Sequence, residues 1–399
     1  MKTSSNGLAA AALGWHRAIP LSRSRFHHLS SALFLVITLV AGFSPRASAR
    51  TLLGVYYGNA GWAMQDVQNM EAWQGKQYAL VHLFTGFCDS SQIMNNLFQR
   101  QLPAIWNNHN VPVITWVPRC GGTIPTNLDQ LIATGKYDAY MTAWVNGLKG
   151  FLRGPDGVYG TGDDRRVYIR FAHEMNGNWY PWSANSSGQT PAEYIAMWRH
   201  VHAVFTSNGV GPSHVQWIWC VNNKDSDSLT YPAEQYYPGD DYVNWVGIDG
   251  YNWGNMTYGT LHFSWKTPAQ IFDNMIGRLR LLTNKPIGIV ETASSPYVVG
   301  VDILAKNQWI PTLYSYVGAQ HLKMVMWFNE NPQTSGILCC QLTDWRAFDA
   351  RDGDGTFTVD QTTYTTYSDY RTAMSLSWLT SADPANPRLL TQSEFSGVL

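Results

Sequence analysis

Eight short runs of apolar and β-branched residues recur between residues 52 and 329, and segments with helical periodicity separate them. Most of the runs are continuously apolar, which is typical of strands buried on both faces of a parallel sheet. They lie at 52–57, 78–84, 111–117, 167–173, 215–221, 243–249, 286–291 and 323–329. Eight alternating strands and helices predict a (β/α)8 TIM barrel of the α/β class. An open doubly wound sheet is the alternative, but no glycine-rich phosphate loop follows the first run.

Two of the helical segments begin with the same signature. Thr190 and Pro191 supply an N-cap and a proline at the first helical position, and Glu193 completes a capping box. The sequence TPAQ at residues 267–270 repeats this pattern before another amphipathic run. Both signatures predict helix starts between barrel strands.

The first 49 residues are organised like a secretory signal peptide. A region containing Arg23 and Arg25 precedes the apolar run ALFLVITLVAGF, which is shorter than the ~20 residues that a membrane span needs. The sequence ASA then ends at Ala49, with small residues where signal peptidase reads the chain. We therefore expect a cleaved signal at 1–49 and a secreted single domain at 50–399, with a C-terminal tail wrapping the barrel's outside. An uncleaved membrane anchor is the alternative.

Charge and composition narrow the class of partner. The formal net charge is −1 at pH 7, which argues against nucleic acid or an anionic membrane as partner. Aromatic residues make up 14% of the chain, with 18 Trp and 21 Tyr. Flat aromatic rings fit the apolar faces of sugars, so the composition favours a carbohydrate partner, although most of these rings will pack in the core.

The five cysteines permit disulfides in a secreted chain without forming a disulfide scaffold. Cys88 and Cys120 each follow a predicted strand, and the two strands are expected to be neighbours, so we expect these cysteines to pair. Cys339 and Cys340 are adjacent in sequence, and Cys220 has no obvious mate. No cysteine spacing resembles a zinc site.

Two glutamates close predicted strands. Glu174 lies in RFAHEMNGNWYPW (residues 170–182), after the fourth strand, and Glu291 ends the seventh strand in IGIVETASS. Active sites of (β/α)8 barrels lie at the C-terminal ends of the strands. Glycoside hydrolysis uses a pair of carboxyl groups at such a site. One Glu alone is often a loop residue or a helix cap, but two beside His, Asn and Trp predict a glycosidase site.

RFAHEMNGNWYPW resembles the acid/base segment of glycoside hydrolase family 26, and VGIDGYNW, IGIVETAS and VMWFNE resemble that family's motifs at strands six, seven and eight. The four motifs occur in order between about residues 167 and 330. The resemblance implies a retaining, double-displacement hydrolase without cofactor or metal. Glu174 would be the general acid/base and Glu291 the nucleophile, with their carboxyl groups ~5–5.5 Å apart.

These roles make demands on neighbouring residues. Glu174 must hold a proton near neutral pH, so apolar walls and the second carboxylate should raise its pKa. Glu291 must stay ionised and needs donors, for which Arg170 and Tyr251 are candidates. We expect His173 to contact the sugar or orient a carboxylate, with a buried structural histidine as the alternative.

Several aromatic residues are candidates for binding the sugar chain. Trp179 matches the family's Trp five residues after the acid/base, and Trp327 matches its Trp at the end of strand eight, which would form the floor under the sugar at the cleavage point. Four more aromatic residues are possible walls of further subsites, each with plain packing as the alternative: Trp182, Trp253, Trp116 and Phe87. Asn176 is expected to brace its loop.

The resemblance leaves several polysaccharides open. We expect an endo-β-1,4-mannanase, with a mixed-linkage β-1,3-1,4-glucanase or a β-1,3-xylanase as alternatives. Phe328 follows Trp327 where a mannan-selective subsite would offer a positive side chain, which leaves mannan, mixed-linkage glucan and xylan open. A catalytically inactive barrel that binds polysaccharide is the alternative from another class, but both glutamates are present. We expect a monomer.

Two acidic, glycine-rich stretches lie at residues 154–164 and 349–360. Neither has the register of an EF-hand calcium loop. Polar turns are the expected structure, with a calcium site as the alternative.

Overall fold

The computed structural model describes residues 50–58, 61–62, 64–87, 90–119, 124–258, 261–331 and 344–399. The expected signal peptide at 1–49 lies outside these residues, as do four of the five cysteines, Cys88, Cys120, Cys339 and Cys340, so their pairing stays a prediction. Cys220 is buried and free. No helix among the described residues combines the length and hydropathy needed to span a membrane.

Eight parallel strands form a closed barrel. Their bounds are Thr51–Tyr56, Leu80–Gly86, Val111–Val117, Val167–Phe171, Val215–Asn222, Trp245–Asp249, Ile287–Thr292 and Met324–Phe328. Each strand pairs with the next one, and the first pairs with the eighth from Leu52↔Met324 to Tyr56↔Phe328, which closes the sheet. The (β/α)8 prediction is confirmed, and every predicted strand overlaps an observed one.

Helices cover the outside of the barrel. Their bounds are Met64–Gln74, Ser91–Asn96, Leu102–Asn107, Leu128–Ala133, Asp138–Leu152, Ala184–Ser187, Pro191–Ser207, Pro268–Leu282, Ile303–Ala319, Ser368–Met374 and Gln392–Phe395. A π-helical turn, Leu97–Gln101, joins two of them, and a 3-10 turn spans Ala233–Tyr236. Both predicted capping boxes are present, at Thr190 with Glu193 and at Thr267 with Gln270. These caps satisfy backbone N–H groups at the helix starts.

Three short strand pairings lie outside the eight-stranded barrel. Thr257–Tyr258 pairs with Leu261–His262, and Gly355–Val359 pairs with Thr362–Thr366. Leu379–Thr380 adds to the first barrel strand. The second acidic stretch ends in the first strand of the Gly355–Thr366 hairpin, and the first forms turns in which Asp156 and Asp163 accept backbone N–H bonds. The expected polar turns are confirmed for the first stretch, whereas residues 355–359 of the second form a β-strand.

The C-terminal tail packs across the end of the barrel where the strands begin. The hydroxyl of Tyr168 and the indole Nε1–H of Trp245 both donate to the carbonyl of Phe395, at 3.0 and 3.1 Å. The Phe395 ring also meets Tyr168 edge-on. The last turn of the tail, which was expected on the barrel's outside, thus covers the N-terminal ends of strands four and six.

Side chains of each strand point alternately into the barrel and toward the helices. On the fourth strand Arg170 points inward, while Phe171 packs against Trp198 of the helix Pro191–Ser207. On the third strand Trp116 points outward and stacks on Trp144 at a centroid distance of 4.3 Å. This alternation decides which aromatic residues can reach the groove.

Candidate active site

The two glutamates occupy the expected edge of the barrel. Glu291 is the penultimate residue of the seventh strand, and Glu174 lies three residues beyond the fourth. Both are nearly buried, with 7% and 8% of their surface exposed. Glu174 has a φ of 54° and Ala172 a φ of 44°, a backbone conformation that costs non-glycine residues about 1–3 kcal/mol. The N–H of Glu174 donates to the carbonyl of Cys220 at 2.8 Å, which helps to hold this turn.

Glu291 is held by two donors. Arg170 donates from Nη2 to Oε1 of Glu291, and the hydroxyl of Tyr251 donates to Oε2 at 2.6 Å. Both contacts were expected from the sequence and are present. The guanidinium on one oxygen and the hydroxyl on the other orient the carboxylate and stabilise its negative charge, as a nucleophile requires.

Glu174 accepts two hydrogen bonds of a different kind. The indole Nε1–H of Trp179 donates to Oε2 at 2.9 Å, and the amide of Asn222 donates to Oε1 at 2.8 Å. Burial, and next the negative charge of Glu291, raise the pKa of Glu174 to about 7. A carboxyl group with this pKa holds its proton for much of the time at neutral pH, as a general acid must.

Arg170 is the centre of a buried polar network. It is fully buried and bridges Glu291 to Asp249, whose Oδ2 lies 2.5 Å from Nη1. Its Nε donates to the hydroxyl of Thr115 at 2.7 Å. Thr115 in turn bonds Nε2 of His82 at 2.5 Å. Burial raises the pKa of Asp249 well above its usual range, and the guanidinium of Arg170 opposes this shift. Arg170 therefore compensates the negative charge of two buried carboxyl groups.

Three members of this network were missed by the sequence analysis, as was Asn222. Asn222 and Asp249 are the last residues of the fifth and sixth strands, the same position that identified the two glutamates. A consistent search of strand ends would have found both. Thr115 and His82 lie inside apolar strands, and only the register between strands brings them to Arg170.

His173 is buried beside these groups without bonding a carboxylate. Its Nε2 lies 3.0 Å from the hydroxyl of Tyr180, and its Nδ1 is buried without a hydrogen-bond partner. Burial lowers the pKa of His173 well below its usual range, so the ring is neutral. The burial of the ring favours the alternative of a structural histidine, and the expected orientation of a carboxylate is not seen, while a contact with the sugar stays a prediction.

The described residues contain one group of possible metal ligands. Ligand atoms of His173, Asp249 and Glu291 lie within 4.8 Å of one another. Arg170 already contacts both carboxylates, so a cation there would compete with the guanidinium. This arrangement fits the neutralisation of buried carboxylates better than the binding of a metal.

Aromatic rings line the site on two sides. Trp179 is 47% exposed and lies against Gly177, where a Cβ would come within 2.6 Å of its ring. On the other side Trp345 stacks on Tyr251 at 4.3 Å, and its edge contacts Trp253 at 5.1 Å. Trp179, Tyr251 and Trp253 thus lie beside the two glutamates, and their contact with a sugar chain stays a prediction. Trp345 was not predicted, because no strand end or motif marks its position.

Comparisons with known proteins agree with this geometry. The model of glycosyl hydrolase family 26 matches residues 163–269, which include Glu174, Asn222 and Tyr251. Endoglucanase H of Acetivibrio thermocellus is 30% identical over 325 residues, covering 78% of this chain and 31% of that protein. The family model thus places residues 163–269 in glycosyl hydrolase family 26.

Two further proteins resemble the chain less extensively. Mannan endo-1,4-beta-mannosidase A and B of Caldalkalibacillus mannanilyticus is 34% identical over 90 residues, covering 22% of this chain and 16% of that protein. The catalytic domain of the GH26 endo-beta-1,4-mannanase of Bacillus sp. JAMB-750 has a TM-score of 0.50 at 19% identity, covering 70% and 77% of the two chains, which supports the fold. The chain spans less than a third of the length of the two sequence relatives.

One aromatic residue of the family-26 motifs is misplaced by the sequence analysis. Trp327 is fully buried and meets Trp309 and Tyr370 on the helical side of the barrel, so the expected sugar floor at Trp327 is wrong. The inward residue of this strand end is Phe328, which stacks on Tyr56 at 4.2 Å.

Three of the possible subsite walls instead pack inside the protein. Trp182 is fully buried, stacks on Tyr180 at 4.4 Å and donates its Nε1–H to the carbonyl of His173 at 2.8 Å. Its predicted contact with substrate is therefore wrong, and it supports the acid/base loop. Trp116 and Phe87 stack on each other at 5.0 Å on the helical side, which is the packing alternative.

Asn176 braces the loop that carries Glu174, as predicted. Its side-chain amide donates to the carbonyl of Asn222 at 3.0 Å and to Asp225 at 2.8 Å. Its side-chain oxygen accepts the backbone N–H of Asn222 at 2.8 Å. These bonds tie the turn after strand four to the end of strand five, where Asn222 contacts Glu174.

Proposed function

We propose that this chain is a retaining endo-β-glycanase that hydrolyses a plant-type polysaccharide. The observation that carries the proposal is the contrast between the two glutamates. Glu174 has a raised pKa and accepts bonds from neutral donors, whereas Glu291 is paired with Arg170 and Tyr251. Two carboxyl groups with opposite environments at one barrel edge support an acid and a nucleophile.

The reaction proceeds in two displacements. In the first, Glu174 donates its proton to the glycosidic oxygen while Glu291 attacks the anomeric carbon, so the leaving chain departs as an alcohol and a glycosyl ester forms on Glu291. In the second, ionised Glu174 takes a proton from water, whose oxygen attacks the same carbon and releases Glu291. Arg170 and Tyr251 stabilise Glu291 when it leaves as a carboxylate.

The lengths of the two sequence matches help to choose between the candidate polysaccharide substrates. The match to endoglucanase H covers 78% of this chain, whereas the match to the mannosidase covers 22%. Loops from many strands build the groove of a barrel enzyme, so the longer match favours a β-glucan, and mixed-linkage glucan is the first candidate. β-1,4-Mannan, the first expectation from the sequence, is the second candidate, and the short but more identical mannosidase match supports it.

The remaining expectations form part of the proposal. The segment 1–49 directs secretion, which suits an enzyme that meets polysaccharide outside the cell. The two carboxyl groups suffice for the chemistry, so we propose a monomer that acts without cofactor, nucleic acid or membrane partner.

An assay of new reducing ends tests the proposal. The mature protein is incubated with barley β-glucan, glucomannan, galactomannan and β-1,3-xylan, with the Glu174→Gln variant as control. We expect the wild type to release reducing ends fastest from β-glucan, with viscosity falling early as in endo action. Fastest release from galactomannan would establish the mannanase alternative. Binding to a polysaccharide without release from any of the four would show a non-catalytic barrel.

The pH profile should follow the pKa of Glu174. Because this pKa is raised to about 7, the acid form is present below pH 7, and kcat/KM should fall as pH rises through that value. Trp179 donates to the ionised carboxylate and so lowers this pKa. Trp179→Phe should therefore move the alkaline limb upward by about half a unit to one unit. A downward shift of the limb in this variant would contradict the role of the indole N–H.

A further inference from the structure

Lys306 is a buried cation on the outer layer of the barrel. It lies near the start of the helix Ile303–Ala319 and has no exposed surface. Its Nζ donates to the carbonyls of Asp344 and Arg346, at 2.8 and 2.7 Å. The ammonium also lies 4.4 Å from the centre of the Tyr367 ring, within the range of a cation–π contact.

The two carbonyl groups that Lys306 holds flank Trp345. The indole of Trp345 stacks on the ring of Tyr251 at 4.3 Å with an interplanar angle of 17°. The hydroxyl of Tyr251 donates to Glu291 at 2.6 Å. Three contacts in series therefore connect the buried ammonium to the proposed nucleophile.

The segment that carries Trp345 is also fixed on its far side. The amide of Asn329, just after the eighth strand, accepts the backbone N–H of Ala347 at 2.8 Å and donates to the carbonyl of Phe348 at 3.0 Å. The carboxylate of Asp344 accepts the backbone N–H of Arg351 at 2.6 Å. These contacts shape the turn, while Lys306 fixes the carbonyl groups of the residues before and after Trp345.

Keeping an ammonium at this position has an energetic cost. Burial lowers the pKa of Lys306 to about 7, which the nearby carboxylate of Asp344 only partly offsets. The other charged groups around it include Arg346, Asp352 and Arg351. An apolar side chain on the same helix face would avoid the cost but would leave both carbonyl groups without this donor.

We propose that Lys306 is a positioning residue of the active site, which acts on Tyr251 and Glu291 by fixing the indole of Trp345. The inference rests on the proposed hydrolytic function. Lys306 does not touch substrate. It holds the aromatic wall at the nucleophile in the orientation in which Tyr251 donates to Glu291.

Replacing Lys306 with methionine should lower kcat about tenfold and change KM less than about threefold. The reason is that the donor bond of Tyr251 to Glu291 matters most when charge moves in the transition state, whereas most subsites that bind the chain are untouched. Lys306→Arg keeps a cationic donor and should recover most of the lost kcat. Steady-state kinetics on the best polysaccharide, measured well below each variant's melting temperature, checks this.

Lys76 provides a matched control. Its Nζ also donates to two carbonyl groups two residues apart, those of Met374 and Leu376, at 3.0 and 2.7 Å. Lys76 lies just before the second strand, at the end of the barrel opposite the active site. Lys76→Met removes the same kind of clamp and should leave kcat unchanged, so a general effect of lost stability is separated from positioning.

Equal kcat for Lys306→Met and Lys76→Met would overturn the inference and leave Lys306 a structural clamp. If Lys306→Met does not fold, Trp345→Leu tests the same route, since it removes the stacked ring and leaves the Lys306 contacts in place. Unchanged kcat in Trp345→Leu would also overturn the inference.

The near-UV circular dichroism of the stacked rings provides a readout that needs no turnover. Lys306→Met should reduce the signal that Trp345→Leu removes, and Lys76→Met should not. If the wild type hydrolyses no polysaccharide, the proposed function fails. An unchanged spectrum in Lys306→Met would refute the positioning itself.

Discussion

Glu291→Gln is expected to lose at least on the order of a thousandfold in kcat while keeping the wild-type fold. The amide keeps the size of the side chain but cannot form the glycosyl ester, so the first displacement has no nucleophile. The melting temperature should fall less than in Arg170→Met, because the amide keeps an acceptor for Arg170 and Tyr251 and because Asp249 still compensates the guanidinium. Steady-state kinetics and thermal unfolding on the same preparation measure both effects.

Two further variants sharpen this expectation. Glu291→Ala opens space at the anomeric carbon, so added azide should restore cleavage of a substrate with a good leaving group and give a glycosyl azide of inverted configuration. Glu193→Gln is the control, because it keeps the capping box of the helix Pro191–Ser207 and should retain full activity. Wild-type turnover in Glu291→Gln would refute the assignment of the nucleophile.

Arg170→Met should be the most destabilising single substitution at the site. It leaves the buried carboxyl groups of Asp249 and Glu291 without their shared cation, which typically costs about 3–5 kcal/mol of unfolding free energy. Activity should fall by at least about a hundredfold as well, because Glu291 loses the donor on Oε1. Urea unfolding and kinetics at the same temperature check the two parts.

The stability loss in Arg170→Met should also depend on pH. Burial raises the pKa of Asp249, so acidification protonates this group and reduces the uncompensated charge. We therefore expect a larger loss at pH 8 than at pH 5. Arg278 is a useful comparison, because it also bridges two carboxylates, those of Asp225 and Glu234, but its side chain is 25% exposed. A loss in Arg278→Met as large as in Arg170→Met would contradict the importance of burial.

The sequence was sufficient for the barrel because each strand is a run of apolar residues and because two of the helices between strands begin with recognisable capping boxes. Thr190 and Thr267 each form the box that their four-residue patterns predict. The two glutamates were identifiable for a similar reason, since both follow apolar strands at one edge of the sheet. These features depend on short stretches of chain and on the rule that barrel sites lie at strand ends.

The aromatic residues were harder to assign, because their roles depend on which way a strand faces. A shift of one position separates Trp327, which packs against the helices, from Phe328, which points into the barrel. The pairing of the seventh and eighth strands changes register between Val325 and Trp327, so a motif alone does not fix the direction of the side chains there. Trp345 reaches Tyr251 only through the tertiary fold.

The partners of Arg170 show the same limit. The sequence predicts Arg170 as a donor to Glu291. Its second carboxylate partner, Asp249, lies two strands away around the barrel. The hydroxyl of Thr115 reaches it from the neighbouring third strand. Relations of this kind arise from strand register and closure, which no local pattern encodes.

The configuration of the first product tests the central claim most directly, namely that Glu174 and Glu291 perform two successive displacements at one anomeric carbon. Proton NMR during the first minutes of hydrolysis, before the reducing ends mutarotate, resolves the α and β anomers. We expect the β anomer to appear first and the α anomer to grow in later by mutarotation. Initial release of the α anomer would show a single displacement and contradict the assignment of Glu291 as a nucleophile.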